Sequence, residues 1–193
     1  VIVLTVDQRA SRRVGDRVDE VLASLGDERL VRTFERTAGD EVQALLDDYA
    51  QVVRLVLELA REDRWNIGVG LGPVLQPIPA SVRAANGPAF HHARDAVDRA
   101  KSAPRGVAVT GPMRAEAGDA EALLGLLAAV VQRRSPEGWE VVDLMDGERT
   151  QRDVARRLGI TPQAVSQRLR AALWHEERRA RPLAERLLAE ADA

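Results

Sequence analysis

The hydrophobic pattern changes its period near residue 111, and that change limits the folds open to the chain. Before it, short apolar runs such as Val1–Val6, Trp65–Leu71 and Val107–Val109 alternate with segments whose apolar residues recur at helical spacing. After it, every apolar residue falls at helical spacing. Strands followed by a purely helical stretch point to an α+β chain with an all-α end. Aromatic residues are 3% of the chain, so the core has to be built from Val, Leu, Ile and Ala. With no cysteine, disulfides, thiolate metal sites and cysteine nucleophiles are excluded. No apolar run approaches the roughly 18 residues of a membrane span, and the opening Val-Ile-Val-Leu meets Asp7 too soon for a signal peptide. The expectation is a cytoplasmic protein with no membrane partner.

The first block reads β-α-β-β-α-β-α-β. A buried strand covers residues 1–7, and Val14, Val18, Val21, Leu22 and Leu25 mark a helix stopped by Gly26. Strands at 30–37 and 40–46 flank Ala38-Gly39, a hairpin signal. Val52, Val56, Leu59 and Ala60 mark a second helix, Trp65–Leu71 a strand, residues 87–101 a helix, and Val107–Val109 a last strand. The first six elements match the ferredoxin-like arrangement, with helices on one face of an antiparallel sheet. Thr110–Asp119 is small and polar enough to be a linker. The expected units are therefore 1–112, ferredoxin-like and used for dimerisation or ligand sensing, and 119–193, helical and DNA-binding.

The most informative stretch of the second unit is Thr150–Arg170. Thr150 caps a helix, with Asp153 at capping-box distance. Ala155 is small where two helices approach, Gly159 permits a left-handed turn, and Ile160 plugs it. Thr161 caps a second helix and Pro162 fits its first turn. Val165 and Leu169 face back toward Ala155 and Leu158. The segment resembles the helix-turn-helix of bacterial regulators and of the last DNA-binding region of sigma factors. Its outward side chains, Gln163, Ala164, Ser166, Gln167 and Arg170, would meet base edges of double-stranded DNA, alongside the cap residue Thr161. Arg149, Arg152, Arg156 and Arg168 would lie nearer phosphates. Residues 149–181 hold nine arginines against three acids, a local basic block in a chain of net charge −2. After Pro182, the stripe Leu183, Leu187 and Leu188 suits either packing on the 120–134 helix or the seam of a homodimer.

In the first unit, Asp7 closes a strand ahead of Ser11-Arg12, and Arg36–Gln43 fills the hairpin. Ile67–Gly72 forms the next strand, and Asn86–Phe90 opens a helix carrying Ala93-Arg94. This set, in this order, resembles the bacterial SatD family and, more distantly, the palm-type domain of nucleotide cyclases and diguanylate cyclases. The palm resemblance implies that Asp7 and Asp40 hold Mg²⁺ against a nucleotide. It makes Asp7, Ser11, Arg12, Gly39, Asp40 and Arg94 the ligand-binding set. The hairpin reads Ala-Gly-Asp-Glu-Val rather than Gly-Gly-Asp-Glu-Phe, and His91 and Arg94 stand where cyclases carry a spaced Asn and Arg. The implied domain senses a purine nucleotide without turning it over, and no catalytic residue is assigned. Glu41, next to Asp40 on a strand, is expected to point away from the site.

Two motifs carry other readings. Gly68-Val69-Gly70-Leu71-Gly72 precedes proline and opens no helix, so it is no dinucleotide fingerprint; its glycines allow close approach of a ligand or sheet. His91-His92 diverge around a helix and read as a solvent-facing pair. The whole points to a homodimeric DNA-binding transcriptional regulator. The alternative is an active nucleotide cyclase or nucleotidyl transferase with a regulatory helical tail.

Overall fold

A computed structural model describes residues 1–9, 15–25, 29–37, 39–145, 147 and 149–193. The expectations for Ser11, Arg12, Val14, Gly26 and Ala38 lie outside the described residues. The first unit contains β1 (Ile2–Gln8), α1 (Val18–Leu25), β2 (Arg32–Arg36), β3 (Glu41–Leu46), α2 (Tyr49–Arg61), β4 (Trp65–Leu71), a single 3-10 turn (Val82–Ala84), α3 (Pro88–Ala100) and β5 (Val107–Thr110). The remainder is α4 (Arg114–Gln132), α5 (Pro136–Met145), α6 (Gln151–Leu158), α7 (Pro162–Ala171) and α8 (Trp174–Ala191).

The fold is α+β. The sheet order is β2-β3-β1-β4-β5. Its first four strands pair antiparallel in the split βαβ order. β5 joins β4 in parallel, so the sheet is mixed and not wholly antiparallel as expected. Parallel neighbours need a crossover, and α3 supplies it.

Side-chain alternation along β1 assigns the two faces. Ile2, Leu4 and Val6 enter the main core with Val21 of α1 and Val52, Val56 and Leu59 of α2. Val3 enters a second core with Leu45 and with Ala89 and Ala93 of α3. Helices therefore cover both faces, where one was expected. The glycines of β4 make α3 possible. An added Cβ would sit 2.3 Å from Val97 N at Gly68 and 2.2 Å from Ala93 N at Gly70. The close approach read from these glycines is made by a helix, not by a ligand or another sheet.

The expected linker is mostly helix, since α4 starts at Arg114. Leu124, Leu127, Ala128 and Val131 of α4 and Ala184, Leu188 and Ala191 of α8 are buried in the main core with the sheet. α8 continues through Pro182. Leu188 packs inward on α4, whereas Leu183 is 40% exposed. A separate small core joins Val141 and Val142 of α5, Val154 and Ala155 of α6, and Val165 and Leu169 of α7. Among the described residues no helix is long and apolar enough to cross a membrane.

The first residue of α2 ties the sheet unit to the end of α8. The Tyr49 hydroxyl donates to Asp192 Oδ2 at 2.8 Å. Burial, aided by that carboxylate, pushes the phenol up to about 12 from an ordinary 10.0. Below pH 10 both folded and unfolded chains keep the proton, so the contribution is full. Between pH 10 and about 12 the unfolded chain loses it first, and the contribution disappears. Tyr49 is the chain's one tyrosine, so tyrosinate absorbance reads it directly. The folded midpoint is expected near 12 and the midpoint in denaturant near 10. Tyr49→Phe is expected to flatten the loss of stability through that window in urea titrations.

Candidate functional site

The α6–α7 pair is built from strong local signals. Thr150 accepts from Asp153 N, and the Asp153 carboxylate accepts from Thr150 N (3.2 Å each), a complete capping box. Hydrogen bonds from Thr150, and then from Arg156, hold the Asp153 carboxyl below its ordinary range. At the other end Gly159 is left-handed (φ 66°, ψ 29°). Ile160 N donates to Ala155 O at 3.0 Å and Gly159 N to Arg156 O at 3.4 Å, the paired bonds of a Schellman turn. Thr161 then accepts from Ala164 N at 3.1 Å, and Pro162 begins α7. Ile160 packs against the small core, as its place in the turn requires.

Val165 and Leu169 turn α7 inward, and the opposite face is open. Thr161, Gln163, Gln167 and Arg170 are exposed; Ala164 and Ser166 are half-buried. Arg149, Arg152, Arg156 and Arg157 are exposed along α6 and its approach. Two of the expected cations are held in ion pairs within the chain, and Arg149 donates to Leu144 O at 3.4 Å. Arg168 is held by Glu140 of α5 at 3.0 Å, and Arg156 pairs with Asp153. The Glu140 contact was not readable from the sequence, because it spans 28 positions between different helices.

The β1–β3 end of the sheet gathers a different set of residues from the expected one. Asp40 lies in the hairpin turn after left-handed Gly39, and its carbonyl accepts from Gln8 N at 3.3 Å. The carboxylate opposite Asp7 is that of Glu41, the register partner of Asp7, which corrects the expectation that Glu41 points away. Strand β3 starts at Glu41, so parity is counted from there, and directly paired residues share a face. Asn66 is paired with Asp7 on the other side and donates to it at 3.2 Å. α3 crosses this face. Arg94 donates to Glu41 at 2.7 Å and meets Asp98 at 3.4 Å; Lys101 meets Asp98 at 3.0 Å and Asp7 at 3.8 Å. Thr37 also donates to Glu41, at 2.7 Å. The hydrogen bond between them raises the Lys101 ammonium and lowers the Asp98 carboxyl.

The structure thus joins Asp7 and Arg94 in one network with Glu41, Asn66, Asp98 and Lys101. The carboxylates of this network are already engaged by cations and amide or hydroxyl donors, which does not suit them to a magnesium ion. Glu41 is closed by Arg94 and Thr37, and Asp7 is shared by Asn66 and Lys101. Among the described residues no group of three or more His, Asp or Glu is placed to hold a metal. His91 is exposed, but His92 is half-buried and its Nδ1–H donates to Leu71 O at 2.6 Å, so the two are not a solvent-facing pair.

No match is found among curated proteins or among solved structures. The model of the SatD family matches residues 5–109, more than half of the chain, and runs from within β1 through most of β5. The chain belongs to the SatD family.

Proposed function

We propose that this chain is a DNA-binding transcriptional regulator whose α6–α7 helix-turn-helix reads a duplex. The observation that carries the reading is the α7 face. Gln163, Gln167 and Arg170 stand exposed on a helix whose other side is fixed to α6 by two caps and a Schellman turn. A rigid helix with an open polar and cationic face suits a major groove, where glutamine reads adenine and arginine reads guanine. The exposed arginines of α6 supply phosphate contacts. One such helix covers one half-site, so recognition by two copies is part of this reading. The SatD unit is the regulatory half. The pairing of Asp7 and Glu41 with Lys101 and Arg94 weighs against nucleotide turnover there.

Mobility shifts with a selected duplex, over a series of salt concentrations, test the reading. Wild type is expected to bind tightly at low salt and progressively less as salt rises. Arg152→Ala is expected to lower the slope of log affinity against log salt by about 1. Arg170→Ala is expected to cost about 1–3 kcal/mol if the side chain meets a base. Absence of duplex binding at low salt refutes the reading.

A further inference from the structure

The sequence treats the arginines of residues 149–181 as one basic block, but the fold separates them. Arg178 and Arg181 lie on α8 and line a cavity of about 410 Å³ between α2, α4, α5 and α8, to which no α7 residue contributes. Arg54 and Arg61 of α2 line it too, and so do Arg134, just beyond α4, and Trp139 of α5. Five arginines thus line one concavity: Glu58, 3.3 Å from Arg54, and Asp143 share its wall, and buried Glu177 lies behind Arg134 and Arg181.

Several of these cations are already oriented by the fold. Arg61 makes a two-pronged pair with Asp143 (2.7 and 2.9 Å) and stacks 3.8 Å from the centre of the Trp139 ring. Arg134 lies 4.8 Å from the same ring. Arg134 and Arg181 both hold Glu177, whose side chain is fully buried. Arg178 sits 5.0 Å from the Trp174 ring. Held guanidiniums lose little freedom when they bind an anion, and their planar forks match phosphate oxygens. Positive charge beyond that of the acidic lining, inside a concave wall, also concentrates anions.

We propose that this cavity binds a small phosphate-bearing molecule, with Arg54, Arg61 and Arg178 as the phosphate contacts. The site is separate from the α7 face and from the Asp7–Glu41 network. Its concavity favours a small ligand over a duplex backbone, which would need a convex ridge or an open groove to lie along. Its size is that of ordinary small-molecule sites.

The test is titration calorimetry of the full chain with inorganic pyrophosphate, against sodium chloride of equal ionic strength. One-to-one saturable binding of pyrophosphate is expected, and none of chloride. The double variant Arg54→Ala, Arg178→Ala removes two exposed or half-exposed contacts and is expected to weaken binding tenfold or more. Arg186→Ala, on α8 outside the cavity, is expected to leave it within twofold. Circular-dichroism melting shows that each variant is folded. Absence of saturable binding by folded wild type overturns the proposal. So does equal weakening by the double variant and by Arg186→Ala, which marks a general charge effect. Loss of duplex affinity in the double variant without any pyrophosphate binding also overturns it, and assigns the cavity to DNA.

Discussion

Gly70→Ala is expected to destabilise the protein by about 3 kcal/mol or more, a large share of the roughly 5–15 kcal/mol of an ordinary domain. A methyl at Gly70 would lie 2.2 Å from Ala93 N and 2.3 Å from Ala89 O. Both are backbone atoms of α3, so no side chain can swing aside. The helix would have to lift from β4, opening the contacts of Ala89, Ala93, Ala96 and Val97, all fully buried. Gly68→Ala meets Val97 N at 2.3 Å and is expected to behave alike. Gly118→Ala provides the contrast. It sits on the exposed side of α4 with nothing within 4 Å, and there alanine's better helix propensity should add roughly 0.5–1 kcal/mol. Urea denaturation of the three variants measures the set. A Gly70→Ala protein within 1 kcal/mol of wild type would contradict the packing described for α3.

Glu177→Ala is expected to cost about 3–5 kcal/mol. The Glu177 carboxylate is wholly buried and holds Arg134, whose side chain is 1% exposed, at 3.3 Å. It also holds Arg181, whose Nη2 donates to it at 3.2 Å. Arg134 Nε donates to Ala172 O at 2.9 Å, so the same guanidinium ties α4 to the end of α7. Removing the carboxylate leaves the buried Arg134 guanidinium, and the partly exposed Arg181, without the acid they share. Replacing Arg134 with Met and Glu177 with Leu together removes the two buried charges and leaves only the partly exposed Arg181 without its acid, so this pair should cost far less than Glu177→Ala alone. Thermal or urea unfolding of the single and double variants decides the point. Equal losses in both would mean that the charges do not act as a pair.

Much of the fold was legible because the signals were local. Trp65–Leu71 announced β4 by an unbroken apolar run, and the capping residues Thr150, Gly159 and Thr161 marked α6 and α7 to the residue. What escaped was non-local. The small polar residues at 110–119 read as a linker, yet Gly111 is small because Ala191 O of α8 would lie 2.6 Å from any Cβ there. Strand register, too, is set by pairing and not by the strand's own sequence, so the partnership of Asp7 with Glu41 in place of Asp40 could not be read until β1 and β3 were aligned. The Arg94–Glu41 and Arg168–Glu140 pairs were hidden for the same reason. Each joins elements whose proximity the chain order leaves open.

The burial of α8 beside α4 in the sheet's own core has a topological meaning. The α5–α7 module is an insertion between two helices that belong to the body, and not a tail hung from its end. Two stems hold it where a tail would have one. The Arg61–Asp143 pair and the Arg61–Trp139 stack fasten it to α2 as well. A deletion from the C-terminus would strip apolar cover from α2 and α4 before reaching the module, so the α5–α7 module cannot be trimmed away to leave the sheet unit intact.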